Sequence, residues 1–562
     1  MSLPTTLRPC VSQSAITKVT RLFNGSLSDI LNELFQNARR AGASCVRVAS
    51  GKSGEQHWIT VDDDGDGISD PQALLSLGAS GWDDRTAARE DPAGMGFFAF
   101  AGRKTTIESA HRDAAFKLVI PADGWTGNRA LRLNKTVKER GTHIRFDADA
   151  AWCRDLREVV AKSAQFFPFT VEHRGDVMLS KDFLKGAELI QDVLGLRIGV
   201  FPRRHHSYEP SINFHGVTIS HKLPVIAEES GLNWSVKIDV VDAPDLQLVL
   251  PARKEVVETP FLRALEEACR RTIFAAITKR GRHSLAYTFW CEAYAFGIML
   301  PDAEAALLAW QAPTADNNDL LNDTPFLACP ASILVPDMVV IDAQLLARAM
   351  SAAPDCQFKP LCANPAFCGY PWYDALPIIS DQRVSVVHDS KRFATGVACT
   401  QIAAARTPMG VDHRIDDATI IMTVTTAGAQ NEVVLPLDVV VGFENEDFSN
   451  LEDATILVTH ASLISPDDLA QLLFDMLFEC WQDCTADSHE SQSRDFEQSA
   501  LYRAHQLLSS AEIADLARIE NAARAHIGWM IPHGHMLTVR LGDTVCSASL
   551  SKHETVMALA NR

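Results

Sequence analysis

The chain holds 562 residues, with 52 Lys and Arg against 71 Asp and Glu and a formal net charge of −19 at pH 7. That acidic balance weighs against broad binding to nucleic-acid phosphates, although a local basic patch is compatible with it. The 47% hydrophobic and 22% charged composition is ordinary for a globular protein, no apolar run reaches a membrane span, and MSLPTTLRPC has no signal-peptide core, so a cytoplasmic chain of three or four domains is expected.

Residues 1–24 are too few for a sensory domain or a phospho-accepting helical hairpin. The first predicted helix is SLSDILNELFQNARRAG, where Ser26 and Asp29 have capping-box spacing and Gly42 stands where a helix should stop. Ile30, Leu34, Ala38 and Ala41 form its apolar stripe. Glu33 and Asn37, four apart, project together from a neighbouring face and present a carboxylate beside an amide oxygen. A β-rich run, HWITVDDDGDGI, then breaks at Asp63-Asp64-Gly65-Asp66-Gly67. Residues 78–93 are polar and rich in small side chains, as suits a lid, and Gly94-Met95-Gly96 leads into the apolar run Phe97 to Ala101. Glycine recurs wherever a backbone would have to approach a ligand. TTIESA, AFKLVIPA, RALRLNK and THIRFD read as successive strands that close an α/β sandwich near residue 150.

The order Glu33-x-x-x-Asn37, Asp63-x-Gly65-x-Gly67, Gly94-x-Gly96 and Gly141-Thr142 resembles the four boxes of the GHKL superfamily. These are the Bergerat-fold ATPases, among them heat-shock chaperones of the ninety-kilodalton class, MutL, type II topoisomerase ATPase subunits and histidine kinases. The likeness is strong over residues 1–150 and weaker to about residue 280. It implies a site for ATP and magnesium. In that site Glu33 would polarise the attacking water, Asn37 would ligate the magnesium ion, and Asp63 would accept a hydrogen bond from the adenine amino group. Gly65 and Gly67 would leave room for the purine. Gly94, Met95, Gly96 and Phe97 would offer backbone to the phosphates at a helix start, and Thr142 would support Asp63 from a neighbouring strand.

Read residue by residue, other roles stay open. Glu33 and Asn37 also suit a solvated helix face, and DDDGDG also suits an acidic turn. A calcium loop counted from Asp62 has its glycine at Gly67, but its twelfth position is Ala73 in place of the bidentate Glu. Two residues depart from the family pattern: Arg40, where many members have Asp, and Asp91, where several have Gly. Both leave turnover and lid behaviour open.

Beyond residue 150 a helix is predicted over 152–166, followed by the strand and turn FPFTVEHRGDVM and by the strand-like runs RIGVF, INFHGVTI, WSVKIDVV and LQLVLPA. A helix from the Thr259 cap, with Pro260 at its first position, to Gly281 carries the stripe Leu262, Leu265, Cys269, Ile273 and Ala276. The resemblance makes 151–311 a transducer-like or middle-like domain. Within it Arg253 and Lys254, after the strand end in PARKEVVE, are candidates for contact with the terminal phosphate, and an ordinary solvated basic pair is the alternative. RHSLAYTFWCEAYAFGIML and DAEAALLAW read as helical, and PTADNNDLLNDTP as a linker. Residues 312–562 read as a mixed α/β region of unknown role, with strands and short helices to about 470 and mostly helix over 465–530. That helical stretch has a break at CWQDCTADSHESQSRDFEQ, and MLTVRLGDTVCSASL closes the chain as a hairpin. Thirteen scattered cysteines, including Cys356, Cys362, Cys368, Cys480 and Cys484, lack zinc-finger spacing and read as reduced thiols. His205, His206, His533 and His535 read as surface residues.

The expected protein is therefore an α/β, magnesium-dependent ATPase resembling the heat-shock chaperone branch. ATP-driven lid closure and homodimerisation would remodel a protein client or partner complex. The missing phospho-accepting hairpin sets it apart from histidine kinases. A nucleic-acid-processing ATPase of MutL, topoisomerase or MORC type and an ATP-sensing scaffold with little hydrolysis are the alternatives.

Overall fold

The computed structural model describes residues 26–552 apart from 77–81, 83–85, 87–95, 113, 127–129, 206–208, 250–254, 317–324, 354–357, 396–405, 408–409, 444–449, 482–487, 510 and 543–545. The chain is mixed α/β and divides into two compact units, Met1–Ala303 and Glu304–Arg562.

In the first unit, helix α1 (Leu27–Arg40) starts at the capping box: Ser26 accepts from the Asp29 N–H while the Asp29 carboxylate accepts from the Ser26 N–H. Two otherwise orphaned donors are thus satisfied. Gly42 takes the left-handed conformation just past the helix (φ 67°) and donates to the Arg39 carbonyl. Leu27, Ile30, Leu31, Leu34, Phe35 and Ala38 are buried, each contributing roughly 1.5–3 kcal/mol for the larger side chains. Phe35 meets Phe167 and Phe169 edge-on, at 5.5 and 6.1 Å between centroids.

These rings cover a sheet built from β1 (Cys45–Ser53), β2 (Gln56–Asp63), β3 (Thr105–His111), β4 (Ala114–Ile120), β5 (Leu133–Asn134), β6 (Gly141–Ala148), β7 (Thr170–His173) and β8 (Asp176–Val177). The strand order is β5-β4-β3-β6-β2-β1-β7-β8. All neighbours are antiparallel except β1 and β7. Helix α2 (Ala150–Ser163) makes the crossover that a parallel partner for β1 requires, so this sheet and its core run past residue 150 to Met178.

A second core in the same unit lies under β9 (Leu189–Val193), β10 (Leu196–Arg203), β11 (Ile212–Phe214), β12 (Val217–Ile219), β13 (Ile226–Ala227) and β14 (Asn233–Val240). Every second residue of β14 is buried, the period of a strand with one face on a core. Helix α3 (Pro260–Arg280) has Pro at its start and Gly281 at φ 76° past its end, and buries Leu262, Leu265, Cys269, Ile273 and Ala276 against that sheet. Helix α4 (Tyr287–Ala295) follows. LQLVLPA forms no strand among its described residues; it makes one bridge, Leu248 to Val256.

The second unit begins with β15 (Ala306–Leu308), paired antiparallel with β16 (Pro325–Leu327). DAEAALLAW is thus not helical: the alanine-rich run has helical propensity, but cross-strand pairing and the Ala309–Leu361 bridge override it. After β17 (Ser332–Val335), α5 (Val340–Ala352), β18 (Lys359–Cys362) and α6 (Pro371–Asp374) come β19 (Ile378–His388), β20 (Lys391–Ala394), β21 (Arg406–Thr407), β22 (Gly410–Ile415), β23 (Asp417–Thr426), β24 (Ala429–Leu437), β25 (Val439–Gly442) and β26 (Thr455–Thr459). They form two sheets, β18-β17-β19-β23-β24 and β21-β22-β26-β25, around one core shared with α5, α7 (Pro466–Leu477) and α8 (His489–Leu508). The break expected at CWQDCTADSHESQSRDFEQ falls between α7 and α8, where the described residues 480, 481 and 488 lie outside any helix, but its second half, from His489 on, already belongs to α8. Ser488 caps α8 by accepting from the Ser491 N–H at 3.3 Å, which is what the polar run supplies. Helix α9 (Ala511–Ile527) and the hairpin β27 (His535–Leu541) and β28 (Cys546–Lys552) end the described chain. No helix of the described residues is long and apolar enough to cross a membrane.

Because Phe35 is fully buried between two other rings, Phe35→Ala should cost about 3–5 kcal/mol in denaturant unfolding of the first unit. A loss below about 1 kcal/mol would mean that α1 is not anchored through this ring.

Candidate functional site

The buried stripe of α1 leaves Glu33 and Asn37 half-exposed on its other side. What faces Glu33 is backbone. A Cβ built on Gly96 would stand 2.2 Å from Glu33 Oε1 and 2.3 Å from its Cδ, so the main chain here lies directly against the Glu33 carboxylate and any side chain at 96 would displace it. Gly96–Phe100 form a single five-residue 3-10 turn, held down by the buried rings of Phe98 and Phe100. The helix start expected at Gly96 and the apolar run Phe97 to Ala101 is this one 3-10 turn, which ends where Gly102 turns the chain at φ 84° toward β3. Phe97 is half-buried and packs on the same core beside Phe100. Gly94, Met95, Arg253 and Lys254 lie outside the described residues, as does most of the lid segment.

Asp63 ends β2 and pairs across the sheet with Thr142 of β6. Its Oδ1 accepts from the N–H groups of Gly65 (3.0 Å) and Thr142 (3.3 Å), while Oδ2 enters no hydrogen bond among the described residues. Gly141 makes the approach possible. It sits at φ 74°, and a Cβ there would stand 1.9 Å from the Asp63 carbonyl oxygen. The loop that follows is wedged between α1 and β3. The Asp66 N–H donates to the Ala41 carbonyl (2.8 Å), a Cβ on Gly65 would meet Ala41 at 2.8 Å, and one on Gly67 would meet the Ala110 carbonyl at 2.1 Å. On the β3 side Ser109 Oγ accepts from the Ile68 N–H (2.9 Å) and shares a hydrogen bond with Thr142 Oγ1 (3.0 Å). Ser109 was not singled out from the sequence, although the alternation of TTIESA turns it inward with Thr105 and Ile107.

The acidic neighbours divide the work. Asp64 accepts from the Ser44 hydroxyl and from the N–H groups of Ser44 (2.7 Å) and Cys45 (3.0 Å), so it ties the loop to the start of β1. Burial would raise the Asp62 carboxyl, but hydrogen bonds from His143 and Lys138 outweigh it and hold Asp62 below the usual range. Asp63 accepts a hydrogen bond from no cation among the described residues, and Lys138 acts on it only through its charge. Burial pushes it up to about 6, against the two backbone N–H donors and with the charge of Asp62 adding to the rise.

Asn37 Oδ1 accepts from Arg40 Nη1 at 3.1 Å, a contact the sequence reading did not foresee. An amide oxygen has a second lone pair, so Asn37 still fits as a single protein ligand to a magnesium ion that takes the rest of its shell from phosphate and water. Among the described residues no cluster of three or more His, Cys, Asp or Glu could hold a metal by itself. The structure thus brings Glu33 against Gly96 and joins Asp63, Gly65, Gly67 and Thr142 in one loop and strand end that also touches the last turn of α1. No family model matches the chain, and no curated protein matches it in sequence.

A carboxyl raised to about 6 in the fold and near 3.8 when unfolded binds its proton more tightly in the native state. Its contribution to stability is complete below about pH 4 and is lost as pH rises through 6, on the order of 3 kcal/mol. Asp63→Asn keeps an oxygen for both N–H donors and has no charge to bury, so the variant should be the more stable protein at pH 8. The difference should shrink toward pH 4 in thermal melts, and a pH-independent difference would mean Asp63 is not a buried carboxylate.

Proposed function

We propose that the first unit binds ATP in a Bergerat-type site and hydrolyses it, as the resemblance to GHKL ATPases implies. The observation that carries the reading is the Asp63 carboxylate. It is kept largely from water, with one oxygen satisfied by backbone, the other in no hydrogen bond among the described residues, and glycines around it that admit no side chain. A buried acceptor maintained at an energetic cost suits a ligand with a matching donor, such as the purine amino group. Glu33 is a carboxylate against bare backbone at Gly96, a place where a phosphate and its attacking water would meet both a base and peptide dipoles. Magnesium, when bound, would offset the phosphate charge, with Asn37 as its protein ligand.

In this reading Asp63, Gly65, Gly67 and Thr142 orient the base, Gly94 to Phe97 line the phosphates, Glu33 holds the water, and Arg253 or Lys254 is the candidate for the terminal phosphate. The output is conformational work on a protein client or partner through an ATP-dependent homodimer in the cytoplasm. The ATP sensor with little hydrolysis is favoured by one observation: the Arg40 guanidinium already occupies one lone pair of the proposed magnesium ligand. ATPase rates alone, with DNA or RNA, and with unfolded protein separate the chaperone, nucleic-acid and sensor readings.

Calorimetry with ATP should show binding to the wild type and none to Asp63→Asn. Glu33→Ala should bind within a few-fold of the wild type and turn over about 10²-fold more slowly. Normal turnover in Glu33→Ala would remove the catalytic role, and unchanged affinity in Asp63→Asn would remove the site.

A further inference from the structure

Helix α1 carries a cation on the line of Glu33 and Asn37. Arg40 follows them at the spacing i, i+4, i+7, which brings it within about 20° of the direction of Glu33 around the helix axis. It stands on the last turn, next to Ala41, whose carbonyl accepts from the Asp66 N–H and whose methyl lies against Gly65. The stripe therefore meets the Gly96 backbone at Glu33, and its other end stands beside the residue that meets the Asp63 loop.

The contact between Arg40 and Asn37 fixes more than one side chain. A guanidinium has five N–H donors and no acceptor, so the amide atom 3.1 Å from Arg40 Nη1 is the oxygen, and the bond runs from Arg40 to Asn37 Oδ1. The Asn37 NH2 group is turned to the opposite side of the amide. Beside Glu33 the helix thus offers a permanent positive charge and a neutral donor. Arg40 is half-buried and its Nη2 is shielded from solvent, so its charge is screened less than at an open surface.

Two cations compete for one oxygen. Magnesium would need Asn37 Oδ1 as its protein ligand, and there it would stand beside a charge of its own sign that no ordinary pH removes. Arg40 already supplies what the ion would supply to binding, a fixed positive charge, and its planar fork matches phosphate oxygens. An Asp at this position, as in the pattern from which the chain departs, would instead add negative charge and leave neutralisation to the metal.

We infer that Arg40 takes the place of the metal in nucleotide binding: the chain holds ATP without magnesium, with the Arg40 guanidinium against the phosphates and Asn37 donating beside it through Nδ2. The inference rests on the ATP reading above and decides which cation serves it.

Calorimetric titration of the full chain with ATP, once in magnesium and once in EDTA, tests it. Wild-type affinity should differ by less than about three-fold between the two buffers. Arg40→Gln keeps a long side chain and a donor but not the charge. In EDTA it should lose about ten-fold or more in ATP affinity, the worth of a charge-assisted hydrogen bond, and magnesium should restore most of that loss once Asn37 Oδ1 is released. Its affinity for adenosine, which has no phosphate, should equal that of the wild type. A wild type that loses about ten-fold or more in EDTA overturns the inference and leaves the ATP reading standing. So does an Arg40→Gln protein whose affinities in the two buffers keep the wild-type ratio. A wild type that binds neither ATP nor adenosine in either buffer removes the ATP reading and the inference with it. The wild-type comparison needs no variant, so it decides the question whether or not Arg40→Gln folds.

Discussion

The first unit depends on a loop that cannot be anywhere else. Residues 63–68 run between the last turn of α1 and the end of β3, touching Ala41 on one side and Ser109 and Ala110 on the other, through backbone carbonyls, the Ala41 methyl and the Ser109 hydroxyl. Gly65, Gly67 and Gly141 are required by those distances, and Gly67 and Gly141 also by their positive φ. The consequence is a carboxylate placed where its solvation is poor. Asp63 carries a destabilising charge at neutral pH, and the surrounding structure, anchored by Phe35, Phe167 and Phe169, supplies the stability that offsets it.

Helix α1 links that strain to the rest of the unit through its two faces. The buried face fixes its height and rotation over the sheet, and those fix where Glu33 and Asn37 stand relative to Gly96 and the Asp63 loop. A helix held by seven buried side chains and a reciprocal cap has little freedom to rotate, so a half-exposed pair on its outer face is positioned as firmly as the core beneath it. Gln36, next to Asn37, is buried and donates to the Phe214 carbonyl at 3.5 Å, so the same helix also touches the hairpin of the second sheet.

Signals that act over three or four residues were legible in the sequence. The capping box at Ser26, the Thr259–Gly281 limits of α3 and the turn glycines fall where local chemistry puts them. Strands with clean alternation, such as β6 and β14, were readable for the same reason. What depended on distant partners was not. The parallel strand β7 joins β1 from more than a hundred residues away, β15 becomes a strand only because β16 pairs with it, and Ser109 acquires meaning only once β3 lies beside β6. The packing of Gly96 on Glu33 spans 63 residues of sequence, and nothing in the local composition of either segment announces it.

The same long-range geometry resolves an electrostatic difficulty. A chain with net charge −19 and four aspartates within five residues is a poor surface for an anionic ligand if all of that charge faces the site. It does not. Asp62 is paired with Lys138 and His143, Asp64 is held at the start of β1, Asp63, pushed up to about 6, is met by two backbone N–H groups, and Asp66 is exposed. Two of the four carboxylates are therefore taken up by contacts whose first duty is to hold the loop in place.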